Sequence, residues 1–187
     1  MTAAITNQAN KLIASLKDNH VDRLKVAQEL SKLGEPAIKP LITALQDSAS
    51  RWAALTALGM IGAPQAIEAI CDYCKDADPT NRGAAVMALG KIGGVEVATA
   101  MIEVIKTEPG DIVRQEAIRI LGEAGGPQAY KILNDLLEDT QRNQYDRRAA
   151  TKALGVLGGK EATVALQKLA DQDPDEYVRK FASEALE

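Results

Sequence analysis

Apolar residues recur along this chain at three- and four-residue intervals, and the same run of intervals returns several times. Ala54, Leu55, Leu58 and Ile61 trace one apolar stripe along a helix, and Ala85, Val86, Leu89 and Ile92 trace the next. Each stripe belongs to a segment that opens on an arginine and runs through two glycines. RWAALTALGMIG at 51–62, RGAAVMALGKIG at 82–93, RQEAIRILGEAG at 114–125 and RRAATKALGVLG at 147–158 align without a gap. RLKVAQELSKLG at 23–34 is a weaker copy with Ser31 at the first glycine, and RKFASEALE at 179–187 is a shorter one. Arginine and second glycine are eleven residues apart in all five complete copies, whereas successive arginines are 28, 31, 32, 33 and 32 apart. The variation therefore falls outside the first helix of the unit.

The first helix is predicted to end near its Leu-Gly pair. There Gly59, Gly90, Gly122 and Gly155 permit either close approach or the left-handed backbone that ends many helices. A second helix follows, with Ala66–Ile70, Val97–Met101, Ala129–Leu133 and Ala162–Leu166 on its inner face, so each unit is a helical hairpin. Asp78-Pro79 and Asp173-Pro174 announce new hairpins, since Asp caps free amides and Pro suits the first turn; Glu108-Pro109 imitates them. Residues 10–18 resemble a second helix such as 40–47. The expectation is twelve helices in about six hairpins: an all-α solenoid forming one domain over 1–187, wound as a short right-handed superhelix.

Composition narrows the class further. With 46% apolar but only 3% aromatic residues, the core must be built from small and aliphatic side chains, which suits helix on helix. A net charge of -4 argues against a nucleic-acid partner. No apolar run is long enough to cross a bilayer, so no membrane partner is expected. The first ten residues lack the features of a secretory signal, and Cys71 and Cys74 suit a reducing compartment, so a cytoplasmic location is expected.

The recurring Arg23, Arg51, Arg82, Arg114, Arg147 and Arg179 need a reason, because a lone charge near a packed interface is costly. Asp47, Asp78, Asp139 and Asp173 stand shortly before several of them. A ladder of contacts from arginine to carboxylate or loop carbonyl, running between neighbouring hairpins, is expected. Recurrence in every unit favours a structural role over binding.

The pattern R-x-x-A-x-x-A-L-G-x-[IL]-G followed by A-x-x-x-L, met at Arg51–Ile70 and Arg82–Met101, resembles the HEAT-like repeats of phycobilisome (bilin) lyases. The resemblance covers about the whole chain. It implies phycobiliprotein binding and tetrapyrrole handling, as in bilin lyase subunits or the lyase-homologous factors of phycobilisome disassembly; composition shows neither. The irregular arginine spacing speaks against a designed array.

Catalytic chemistry finds little support in the residues. The one histidine, His20, sits in the loop 18–22 as a turn residue. The paired His-Glu iron motifs of the HEAT-repeat hydroxylase of the hypusine pathway are therefore absent, and a Ser-His-Asp or Cys-His nucleophile would have to use that same loop. Cys71-x-x-Cys74 falls inside a second helix expected over 64–75, and zinc would need two further ligands. Cys74 reads as core and Cys71 as partly exposed. Glycines 90–94 and 122–126 follow helices rather than strands, so no phosphate loop is read there. No catalytic residue, metal or cofactor is assigned, and tetrapyrrole binding stays open.

The expectation is a non-catalytic protein-binding scaffold whose second helices line a concave groove. Candidate partner-binding residues are Trp52, Glu68, Cys71, Asp72, Tyr73, Glu103, Tyr130, Asp135, Glu138 and Tyr145, the last placed in the loop 139–146. Trp52 reads either as an exposed anchor or as half-buried against the next hairpin. The acidic residues read either as an attractive groove or as a solubilising face. The last helix, with Phe181, Ala182, Ala185 and Leu186, reads either as a cap or as a flank that docks a second lyase-like subunit. The partner is a protein: a phycobiliprotein, or that second subunit. The rival readings are a bilin lyase subunit and a general HEAT-repeat adaptor.

Overall fold

Short polar residues set where the helices begin. Asp22, Asp47 and Asp175 are extended, and each turns a carboxylate onto an amide two or three residues ahead: Lys25, Ala49, and Tyr177 with Val178. Asn143 does the same for Tyr145, and Asp78 for Thr80. The computed structural model describes residues 2–18, 20–126, 128–139 and 141–187, without the side chain of Thr2. Twelve α-helices and no strand occur among the described residues: α1 Thr2–Ser15, α2 Arg23–Lys32, α3 Ile38–Ala44, α4 Ser48–Ile61, α5 Ile67–Cys71, α6 Pro79–Ile92, α7 Val95–Thr107, α8 Asp111–Ala124, α9 Ala129–Glu138, α10 Gln144–Leu157, α11 Gly159–Gln172 and α12 Glu176–Leu186. The fold is an all-α solenoid. It falls into two units, residues 1–92 with α1 to α6 and residues 93–187 with α7 to α12, and each is described by itself.

In both units the first helices, α2, α4 and α6 or α8, α10 and α12, hold much of the core. Ala53, Ala54, Leu55, Ala57 and Leu58 of α4 are all buried, as are Ala117, Ile118, Ile120 and Leu121 of α8. Second helices add fewer anchors in the first unit, such as Leu41 and Ile70, but at least as many in the second, where Val97, Met101, Ile105, Leu133 and Leu166 are buried. Each fully buried Leu or Ile contributes roughly 1.5–3 kcal/mol. The second helix expected over 64–75 is shorter than its pattern suggests. Only Ile67–Cys71 is α-helical, between 3-10 turns at Pro64–Ala66 and Asp72–Lys75.

The two glycines of each first helix divide their work. The helix does not end at the Leu-Gly pair; it runs on and stops at the second glycine, where Gly62, for example, has φ +68. The first glycine lies inside the helix and lets two first helices touch. A Cβ at Gly59 would stand 2.6 Å from the Ala88 Cα, one at Gly122 2.6 Å from the Ala153 carbonyl oxygen, and one at Gly155 2.7 Å from the Ala185 Cβ.

First helices therefore pack backbone against backbone, while second helices stand apart. Between α9 and α11 an open cleft of about 310 Å³ is lined by Asn134, Leu137, Ala165 and Leu169, among others.

Arginines join consecutive hairpins by a regular scheme. Four of them donate to the carbonyl six residues before: Arg51 to Leu45 at 2.9 Å, Arg82 to Asp76 at 3.0 Å, Arg114 to Glu108 at 2.9 Å and Arg179 to Asp173 at 2.6 Å. Arg147, after a longer loop, reaches Leu137 at 3.2 Å instead. Carboxylate partners lie in the next hairpin: Arg51 pairs with Asp76 at 3.0 Å, Arg114 with Asp146 at 2.6 Å and Arg147 with Asp173 at 2.5 Å; Arg114 pairs also with Asp111, three residues before it. Asp76 and Asp173 thus serve two neighbours, one through the carboxylate and the next through the carbonyl. Asp47 and Asp78, which precede their arginines, cap helices instead. Arg23 is exposed and forms no ion pair among the described residues; the residue six before the next arginine is there Leu45.

The carboxyls of Asp76 and of the cap Asp175, which also accepts from Arg148, are held low. Burial pushes Asp76 up, but the Asp78 amide, the Asn81 side chain and Arg51 outweigh it and hold it below the usual aspartate range. Asp175 is likewise pushed up by burial and brought down further by Arg148 and the amides of Tyr177 and Val178. A folded value below the unfolded one means stability that is complete above the ordinary aspartate range and lost as pH falls through the folded values. Thermal unfolding followed by circular dichroism is expected to show this acid limb, shallower in Asp76→Asn and Asp175→Asn.

Candidate protein-binding surface

Counted from the arginine of each first helix, side chains at positions minus two, plus one, plus five and plus nine share one stripe, as helical periodicity requires. In the first unit these are Ala49, Trp52, Thr56 and Met60 on α4, and Thr80, Gly83, Met87 and Lys91 on α6; Leu24 of α2 joins them. Trp52, Thr56, Met60, Gly83, Met87, Lys91 and Leu24 all line a groove of about 380 Å³. Trp52 is half-buried, whereas Leu24 and Met87 are 46% and 54% exposed, far more than a core residue. Gly83 faces the groove without a side chain, which keeps it open.

In the second unit the same stripe holds aromatic rings and cations. Arg148 of α10, held by Asp175 at 2.9 Å, lies 4.3 Å from the Tyr177 ring and 5.5 Å from that of Tyr145. Lys152 stands 3.8 Å over Phe181, which is 6.4 Å from Tyr177. Cation–π contacts of this kind contribute about 0.5–2 kcal/mol each and hold the rings in fixed orientations. Ile112 on α8 is 85% exposed.

The sequence-predicted candidates are spread over several environments. Trp52 lies in the groove between α4 and α6. Tyr145 stands in the first turn of α10 rather than in a loop, at the minus-two position of the stripe; Thr140 of that loop lies outside the described residues. Tyr73 is half-buried with the Arg51 guanidinium 5.0 Å above its ring, which makes it part of a junction. Glu68, Asp72, Glu103, Asp135 and Glu138 are exposed on second helices or their ends, with Glu138 accepting from Asn134 at 2.9 Å. Tyr130 is half-buried on α9. Cys74 is buried and Cys71 partly so; burial, then Asp72 and Glu68, push the Cys71 thiol up, the opposite of what a reactive thiolate needs. His20 is exposed beside Asp18, and Asn19 of its loop lies outside the described residues. No group of three metal-ligating side chains occurs among the described residues. Leu24, Met60, Met87, Arg148, Lys152 and Tyr177 are additions from the structure; their signal was the shared stripe position.

The HEAT-repeat family model matches residues 38–119 and 108–187, most of the chain. The chain belongs to the HEAT-repeat family. Among solved structures this HEAT-repeat chain is similar to the complex of CpcE and CpcF of phycocyanin lyase from Nostoc sp. PCC7120, at 22% identity and TM-score 0.62, covering 93% of this chain and 74% of that one. It is also similar to an archaeal HEAT-like repeats protein from Thermococcus onnurineus NA1, at 15% identity and TM-score 0.62, covering 95% and 78%. Human deoxyhypusine hydroxylase matches at 20% identity and TM-score 0.51, covering 98% and 96%. At these identities the likeness is one of fold. No curated protein sequence matches the chain. No helix among the described residues is long and apolar enough to cross a membrane.

Proposed function

We propose that this HEAT-repeat chain is a non-catalytic protein-binding scaffold whose client is a phycobiliprotein, acting in the cytoplasm as a chaperone or an assembly or turnover factor. The observation that carries the reading is the row of Trp, Tyr, Met and Ile side chains at outward positions of first helices, where nothing in the core requires them. Aromatic and methionine side chains on a pre-formed face are the usual anchors of protein contacts. The client is suggested by the repeat pattern and by the similar fold of the phycocyanin lyase complex.

That neighbour also favours a second reading, a bilin lyase subunit working with a second lyase-like chain. Both are tested by mixing the purified protein with apo- and holo-phycobiliprotein in size-exclusion chromatography, then adding free bilin. Co-elution with no faster chromophore attachment is the expected result. Faster formation of a spectrally native covalent adduct establishes the lyase reading instead. Failure to co-elute with either form removes the phycobiliprotein as client and leaves a general adaptor.

A further inference from the structure

The first helices of the N-terminal unit differ in charge from the rest of the molecule. In a chain of net charge -4, α2, α4 and α6 carry Arg23, Lys25, Lys32, Arg51, Arg82 and Lys91 against a single carboxylate, Glu29. Arg51 is engaged at its junction, but Lys25, Lys32 and Lys91 are exposed and form no ion pair among the described residues. Lys91 is the one charged residue lining the groove of Trp52, Met60 and Met87, and the lining contains no carboxylate. An apolar channel lined by the unpaired Lys91, with Lys32 at the same stripe position of α2, selects the opposite charge and disfavours a basic or neutral occupant.

From this we infer that the groove receives an acidic segment of a partner protein, with large apolar side chains flanked by Asp or Glu. The inference rests on the scaffold reading above and names the chemistry of what that scaffold holds. Apolar side chains enter between Trp52 and Met87, beside Gly83, where no side chain bars the way. The flanking carboxylates meet Lys91 on α6 and Lys32 at the matching position of α2. Methionines at Met60 and Met87 adapt to differing apolar shapes, so the lysines set the selectivity.

Trp52 is the only tryptophan in the chain, so its emission reports on the groove without a label. The probes are a synthetic amphipathic helix with a Leu/Phe ridge flanked by Glu and the same peptide with every Glu replaced by Lys. The acidic peptide is expected to shift Trp52 emission saturably and less tightly at raised salt; the basic one is expected to leave it unmoved. Lys91→Glu with Lys32→Glu is expected to weaken the acidic peptide by about tenfold, and Met87→Ala to weaken it at unchanged salt dependence. All three positions are exposed, so unchanged circular dichroism is expected in each variant. No emission change with the acidic peptide, equal binding of the two peptides, or insensitivity to the lysine reversals would overturn the inference. Phycobiliprotein co-elution that survives these variants overturns the groove and leaves the client standing. Peptide binding without co-elution does the reverse.

Discussion

Gly122→Ala is expected to destabilise the chain by about 2–3 kcal/mol, although alanine is the better helix former. Exchanging glycine for alanine inside an exposed helix ordinarily gains about 1 kcal/mol. Here the new methyl would lie 2.6 Å from the Ala153 carbonyl oxygen and 2.8 Å from its Cα, both main-chain atoms that no rotamer change can move. Relief requires α8 and α10 to separate and uncover apolar surface along their contact. Gly59→Ala meets the Ala88 Cα in the same way. Gly155→Ala meets chiefly a side-chain methyl, that of Ala185, and is expected to cost less. Urea unfolding followed by circular dichroism measures all three; a stabilised Gly122→Ala would show that the first helices do not touch through their backbones.

Removing the Arg147 guanidinium is the second large effect, expected at about 3–5 kcal/mol for Arg147→Met. Arg147 and Asp173 have side chains only 5% and 4% exposed, so the substitution strands a carboxylate and the Leu137 carbonyl without their donor. Arg51→Met supplies the contrast. Its pair with Asp76 is 20% and 11% exposed, water can replace part of the contact, and a loss of about 1 kcal/mol is expected. Equal losses in the two variants, measured by chemical denaturation, would show that burial does not set the worth of these pairs.

Much of the fold was legible because it is written in short-range intervals. The eleven residues from arginine to second glycine mark the first helix, and its apolar stripe marks the buried side. What escaped the sequence depends on separations the intervals do not encode. Asp76 lies 25 residues beyond Arg51, and Asp146 lies 32 beyond Arg114, so these partners in the next hairpin are not written in the short intervals. The role of the first glycine, left open between close approach and a left-handed turn, has a related cause: it depends on Gly122 meeting Ala153, a contact between different repeats. The stripe positions held by Trp52 and Met87, and by Arg148 and Tyr177, likewise belong to different repeats and so are not joined by the intervals within one helix. Tyr145 was assigned to a loop because its helix starts at Gln144, one residue after the Asn143 cap.

Asp76 and Asp173 each hold the arginine before them through the carboxylate and the one after them through the carbonyl. A hairpin therefore cannot fray alone at these points, since releasing one acid loosens the helix starts on both sides of it. Amide hydrogens of α4 and α6 should accordingly exchange as a linked group, as should those of α10 and α12, and replacing either acid should split such a group into separately opening turns.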